Sequence, residues 1–179
     1  MRDWNVVATT RDGTFRRARE LLSPAGSVSR TQFYNVMVMR VPEVEGFLDW
    51  LVGEWSKGPR FPDTIAHVRP ARQAFVFHSP EEFEAKAREL VLSWAPKLAG
   101  KAFHVRLHRR GFKGRLSTPE EERFLDEVLL ERLSSNGTPA RVTFDNPDTI
   151  LAIDTVGERA GLGLWTSEER RRFVFLGVD

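Results

Sequence analysis

Residues 28–41, VSRTQFYNVMVMRV, decide how the first half of the chain folds, because they form one long extended stretch. This stretch is predicted to break into two strands near Tyr34 and Asn35. Four further segments flank it in the order strand, helix, helix, strand: 5–9, 15–22, 44–55 and 64–69. Both helical segments carry apolar residues at i, i+3 and i+4, as amphipathic helices do. The order β-α-β-β-α-β predicts a ferredoxin-like unit in which both helices cover one face of one sheet.

The second half of the chain contains another set of strands and helices. Ser79 is predicted to cap a helix that has Pro80 at its first position and ends at Gly100. A further helix is predicted at 119–133, and strands at 73–77, 102–108, 140–144, 149–155 and about 173–176. The sequence therefore predicts an α+β protein with two domains, 1–72 and 73–179.

The composition excludes several classes of protein. The chain has 179 residues and no cysteine, which rules out disulfides, thiolate zinc sites, iron–sulfur clusters and a cysteine nucleophile. No stretch approaches the roughly 18 apolar residues of a membrane helix, and the N-terminus lacks a secretory signal pattern. We therefore expect a cytoplasmic protein.

The net charge of +2 identifies no partner by itself, so the positions of the charges matter more than their sum.

Residues 101–115, KAFHVRLHRRGFKGR, form a basic stretch without an acidic residue. In a strand, alternate residues face opposite sides, so the apolar residues would enter the core and a basic row would face the solvent. That row consists of His104, Arg106 and His108. It continues into a loop where Gly111 and Gly114 would let the backbone approach a partner, with Phe112 available to stack on a base. An ordinary solvated surface is the alternative, and composition does not decide between the two. The candidate RNA-binding residues are Lys101, Arg106, Arg109, Arg110, Lys113 and Arg115.

Other patterns of chemically active residues have structural explanations. His104 and His108 would lie about 13 Å apart on a strand, which is too far for one metal ion. The segment 157–163 lacks the Gly-Lys-Ser/Thr ending of a phosphate-binding loop and is predicted to be a hairpin connection. Asp126 and Glu127 are predicted to lie on the solvent side of their helix. We therefore expect no catalytic residues, no cofactor and no metal site.

Five segments of the second half together resemble the THUMP domain, a module of tRNA-modifying enzymes and their adaptors. They are FHVR at 103–106, RRG at 109–111, VTFDNPD at 142–148, ILAI at 150–153 and AGLGLW at 160–165. The first half is similar to the ferredoxin-like domain that precedes THUMP in that family. The whole arrangement is similar to the stand-alone THUMP proteins that act as tRNA-binding partners in cytidine acetylation.

The resemblance implies a THUMP-type α/β domain at 73–179 and a tRNA-binding adaptor that grips the acceptor stem and the 3′ CCA end. It also implies that the protein is not an enzyme, because the chain stops at Asp179 without room for a catalytic domain. The implied partners are tRNA and a tRNA-modifying enzyme such as a cytidine acetyltransferase, with no DNA and no membrane. Two alternatives are a protein–protein interaction module that docks an acidic partner, and a small-molecule enzyme of ferredoxin-like type.

Overall fold

The computed structural model describes residues 1–178, which divide into two compact units. The units consist of Met1–Arg72 with Arg170–Gly177, and of Gln73–Glu169 with Val178. Each unit combines helices with a β-sheet, so the predicted α+β class is confirmed. This grouping does not test independent folding, so the division into domains 1–72 and 73–179 stays a prediction.

The first unit contains one four-stranded sheet. Its elements are β1 (Val6–Thr10), α1 (Phe15–Leu22), a 3₁₀ turn (Ser23–Ala25), β2 (Ser27–Arg30), β3 (Val36–Arg40), α2 (Val44–Ser56) and β4 (Ile65–Pro70). The strand order is β2-β3-β1-β4, and every neighbouring pair is antiparallel. Helix α2 begins after Glu43, whose carboxylate accepts hydrogen bonds from the Glu45 and Gly46 N–H groups. This cap satisfies amides that have no partner within the helix.

The segment predicted as a strand at 173–176 is not one. It follows α5 (Ser167–Arg172) and contains a turn in which the Leu176 N–H donates to the Phe173 carbonyl at 3.0 Å. The Val68 N–H donates to the Phe175 carbonyl at 2.8 Å, and the Phe175 ring lies 5.4 Å from the Trp55 ring. This hydrogen bond and the aromatic packing hold the segment in the first unit, and its run of apolar residues does not reflect a strand ladder.

The second unit contains a five-stranded mixed sheet. Its elements are β5 (Gln73–Val76), α3 (Pro80–Trp94), a 3₁₀ turn (Ala95–Leu98), β6 (Ala102–His108), α4 (Thr118–Ser135), β7 (Arg141–Val142), β8 (Thr149–Val156) and β9 (Arg159–Thr166). The strand order is β5-β9-β8-β6-β7, and β6 runs parallel to both of its neighbours. Phe103, Val105 and Leu107 of β6 pack in one core with α3 and α4, as predicted. The hairpin predicted at 157–163 is present, but its connection is only the turn at Gly157 and Glu158, and residues 159–163 belong to β9.

Helix α3 begins as the sequence predicts. The Ser79 hydroxyl accepts a hydrogen bond from the Glu82 N–H at 3.1 Å, and Pro80 occupies the first turn. The Ser79 hydroxyl satisfies one backbone N–H of the first turn, and Pro80 has no backbone N–H that would need a partner there. Within residues 1–178, no helix is both long enough and apolar enough to cross a membrane.

Candidate nucleic-acid interface

The predicted exposed row on β6 is partly buried. His104 is only 2% exposed. Its Nδ1 atom lies 2.8 Å from the Thr143 carbonyl oxygen, and its ring lies 5.0 Å from the Phe144 ring. Arg106 and His108 are half-buried. The prediction of a solvent-facing row is therefore wrong at His104, because the chain that follows β7 covers it.

The loop that follows β6 is fixed to the β8–β9 hairpin through Arg110. The Arg110 N–H donates to the Thr155 hydroxyl at 2.9 Å, and the Arg110 carbonyl accepts from the Gly157 N–H at 2.9 Å. The Arg110 guanidinium lies 2.7 Å from the Asp154 carboxylate, and these side chains are only 15% and 6% exposed. The nearly buried Asp154 carboxylate thus balances the charge of Arg110. Arg110 therefore has a structural role in this ion pair, and its charge is not free for a phosphate.

Arg109 and Gly111 also serve the loop itself. The Arg109 guanidinium donates to the Gly111 carbonyl. Gly111 has a φ of 109°, and a Cβ atom there would lie 3.2 Å from the Gly157 Cα atom. The close backbone approach predicted for Gly111 therefore occurs, but toward Gly157 of the same chain and not toward an external partner.

Phe112 is not available to stack on a base as predicted. Its ring lies 4.9 Å from the Phe77 ring and packs against the core of the second unit. The Arg115 guanidinium lies 5.0 Å from the centre of the same ring. Phe112 therefore anchors the loop and supports Arg115 through a cation–π contact.

The six predicted RNA-binding residues do not form one patch. Lys101, Lys113 and Arg115 are exposed. Lys101 precedes β6, which has seven residues, so Lys101 lies about 25 Å from the start of the loop that follows the strand. The structure brings Arg109, Arg110, Lys113 and Arg115 together in one loop and leaves Lys101 apart. Their role in RNA binding stays a prediction.

Two carboxylates on α4 complete the hydrogen bonding of β6. Strand β7 has only two residues, so it does not reach the N–H groups of Val105 and Leu107. The Asp126 Oδ1 atom accepts from the Val105 N–H at 2.9 Å, and the Glu122 Oε1 atom accepts from the Leu107 N–H at 2.7 Å. A spacing of four residues places both carboxylates on one face of the helix. The predicted solvent position of Asp126 is wrong, since the residue is 7% exposed.

Two carboxyl groups of α4 titrate near neutral pH. Burial raises the pKa of Asp126 to about 7. Burial also raises the pKa of Glu121 to about 7, and the charge of Glu84 adds to this rise. Shifted carboxyl groups can mark a reactive site, but Asp126 is engaged with the β6 backbone. Within residues 1–178, no group of three or more potential metal ligands comes together.

A groove in the first unit was not predicted from the sequence. Its volume is about 440 Å³. Tyr34, which the sequence marked only as a break between strands, is 81% exposed beside it. The aromatic pair at 33–34 close to Arg30 was the available signal. We call this feature the aromatic groove, and its lining residues are Gly13, Phe15, Arg16, Arg30, Thr31, Gln32, Phe33, Tyr34 and Asn35.

Comparison with known proteins shows a shared fold. No protein-family model matches the sequence, and no curated protein matches it either. TrmN from Thermus thermophilus is similar at 24% identity with a TM-score of 0.60, over 89% of this chain and 44% of its own. A 4-thiouridine synthetase–RNA complex with bound ATP is similar at 15% identity with a TM-score of 0.52, over 90% and 41%. A predicted N6-adenine-specific DNA methylase from Listeria monocytogenes is similar at 13% identity with a TM-score of 0.54, over 90% and 40%. The chain spans less than half the length of each of these three proteins.

These similarities correct two predictions. Assignment to the stand-alone THUMP family is wrong, because the similar structures are longer chains, several with methyltransferase or methylase names. The expected acetyltransferase partner rested on that assignment and loses its support. The prediction that the protein is not an enzyme is also wrong, since it relied on where the chain ends, whereas chains with those enzyme names contain this fold.

Proposed function

We propose that the chain binds RNA, and in particular tRNA, for a tRNA-modification reaction. The contact surface is the loop that follows β6, with Lys113 and Arg115 as its principal phosphate contacts. The observation that carries this proposal is the exposure of both side chains on a loop whose backbone is hydrogen-bonded to the β8–β9 hairpin. A fixed loop presents its cations with little loss of backbone freedom on binding.

The fold comparison supports RNA as the ligand. The similar 4-thiouridine synthetase was solved as an RNA complex, and the similarity covers 90% of the present chain. In the proposed complex, the acceptor stem and the 3′ CCA end are the parts of the tRNA that are held. Phosphate contacts fix its position, and the shape of the helix end with its single-stranded tail supplies selectivity.

The proposed RNA-binding protein is cytoplasmic and has two domains, 1–72 and 73–179. The element order β-α-β-β-α-β and the sheet order β2-β3-β1-β4 support a ferredoxin-like class for the first. The mixed sheet of the second carries the basic loop.

The test is equilibrium binding of the chain to one tRNA, with and without its 3′ CCA end, across a salt series. Combining Lys113→Glu with Arg115→Glu is expected to weaken binding and to reduce the salt slope by about two, because each phosphate contact contributes close to one unit. Combining Lys97→Glu with Arg132→Glu is the matched control, since both side chains are exposed and lie outside the loop.

Three outcomes would count against the proposal. Equal weakening by both double variants would indicate a general charge effect and not a defined surface. Binding that is indifferent to the 3′ CCA end would contradict recognition of that end. An acidic protein ligand bound more tightly than tRNA would favour the alternative in which the loop docks a protein.

A further inference from the structure

We propose that the aromatic groove binds a single-stranded segment of RNA, with a base stacked on Tyr34 and neighbouring phosphates on Arg16 and Arg30. This inference rests on the proposed RNA-binding function and adds to it a site in the first unit. The mode of contact differs from that of the basic loop, which offers cations but no free aromatic ring.

The turn that carries Tyr34 is internally hydrogen-bonded. The Thr31 hydroxyl accepts from the Phe33 N–H at 3.1 Å and donates to the Val36 carbonyl at 2.8 Å. The Phe33 carbonyl accepts from the Val36 N–H at 3.3 Å. Asn35 has a φ of 55°, a left-handed conformation that asparagine tolerates better than most residues. These bonds define the direction in which the turn presents the exposed ring of Tyr34.

The groove combines flat rings with accessible positive charge. The Arg30 guanidinium lies 5.4 Å from the centre of the Phe15 ring, a cation–π contact that positions the charge while the residue stays exposed. Arg16 is also exposed at the start of α1. Among the described residues that line the groove, none is acidic. The Asp12 carboxylate, on the preceding turn, accepts from the Asn35 side-chain amide at 2.6 Å.

These features favour a nucleotide over an acidic peptide. An exposed ring offers a stacking surface to any base, and arginines beside it suit phosphate oxygens. A base must be unpaired before its face can reach such a ring, so the ligand is single-stranded and not a duplex. The volume of about 440 Å³ lies within the range of about 300–1,000 Å³ that is usual for ligand sites.

The test uses the whole chain and a short, fluorescently labelled, single-stranded oligoadenylate. Tyr34→Ala is expected to weaken binding roughly 5- to 150-fold, the range for loss of one base–aromatic stack. Tyr34→Phe keeps the ring and is expected to stay within about twofold of the wild type. Because Tyr34 is 81% exposed, both variants should keep the wild-type thermal unfolding midpoint, which is measured in parallel.

A matched pair of arginine variants tests the phosphate contact. Arg16→Ala is expected to weaken oligoadenylate binding and to reduce its salt slope by about 0.7, the value for one contact with a single strand. Arg17→Ala is the control, because Arg17 is also an exposed residue of α1 and does not line the groove.

The outcomes separate this inference from the proposed function. Oligoadenylate binding that ignores both Tyr34→Ala and Arg16→Ala overturns the groove site, whether or not tRNA binding depends on Lys113 and Arg115. Wild-type chain that binds tRNA but no oligoadenylate also overturns the groove site and leaves the proposed function standing. If neither RNA binds while poly-glutamate binds and requires Arg16, both ideas fail and a protein partner takes their place.

Discussion

Asp126 should give the wild-type chain a pH-dependent stability that the substitution Asp126→Asn removes. The residue is 7% exposed, and its Oδ1 atom accepts the Val105 N–H at 2.9 Å. The pKa of Asp126 is raised from 3.8 to about 7 by burial, against the effect of the Val105 hydrogen bond, and Glu122 and Glu127 add to the rise. Asparagine keeps an oxygen acceptor for Val105 and removes the titration.

The sign follows from the direction of the pKa shift. A carboxyl group with a raised folded-state pKa binds its proton more tightly in the folded chain than in the unfolded chain. Its contribution to stability is therefore complete below about pH 3.8 and is lost as the pH rises to about 7. The shift corresponds to a total loss of about 4 kcal/mol, of which roughly 2 to 3 kcal/mol falls between pH 5 and pH 8.

The assay is urea unfolding at pH 5, 6, 7 and 8, followed by the fluorescence of the five tryptophans. The difference in unfolding free energy between Asp126→Asn and the wild type should increase with pH by roughly 2 to 3 kcal/mol across this range. All other titrating groups are common to the two chains, so this difference reports the titration of Asp126 together with its coupling to Glu122 and Glu127. The variant Asp126→Ala also removes the acceptor, and it should lose about 1 to 3 kcal/mol relative to Asp126→Asn at every pH. A free-energy difference between Asp126→Asn and the wild type that does not change with pH would refute the assigned pKa.

Other predictions concern the loop that follows β6. Gly111→Ala should destabilise the chain by about 1 to 3 kcal/mol in urea unfolding, because its φ is 109° and the new Cβ would lie 3.2 Å from the Gly157 Cα atom. Gly114→Ala is its control, since Gly114 has a φ of 76° with no atom within 4 Å of the new Cβ, and a smaller loss is expected; equal losses would contradict a role for the close approach. Arg110→Met should cost roughly 3 kcal/mol, because it removes the guanidinium from the nearly buried Asp154 carboxylate. A loss below about 1 kcal/mol, typical of exposed ion pairs, would show that this one is solvated.

Local sequence patterns predicted the regular elements well. The helix predicted at 44–55 spans Val44–Ser56, and the one predicted at 119–133 spans Thr118–Ser135. Apolar spacing and helix caps are properties of neighbouring residues, so they can be read without knowledge of the fold. The strand predicted at 173–176 is wrong, because the apolar run there packs against the distant ring of Trp55 and its backbone forms a turn.

The candidate site depended more on long-range contacts, and its details were predicted less well. The sequence located a basic loop, but no local pattern shows that Phe112 packs on Phe77 or that His104 is covered by Thr143. Asp126 was predicted to lie on the solvent side of its helix, whereas it is buried. Its true position follows from the shortness of β7, which leaves amides of β6 to be satisfied by a side chain.

Arg109 and Arg110 of the loop that follows β6 have structural contacts, whereas Lys113 and Arg115 are exposed, and this difference decides which substitutions test RNA binding. Charge reversal at Arg109 and Arg110 would disturb a backbone carbonyl contact and a nearly buried ion pair, so lost RNA binding could follow from a disordered loop. Lys113 and Arg115 are exposed, and replacing Arg115 removes only its cation–π contact with Phe112 and its charge interaction with Glu81. The effects on stability and on RNA affinity should therefore differ between variants. Arg110→Met should mainly lower the unfolding free energy, and charge reversal at Lys113 and Arg115 should mainly reduce the salt slope of RNA binding. An interface whose affinity and stability always change together would instead mean that the loop acts through its fold and not through its exposed cations.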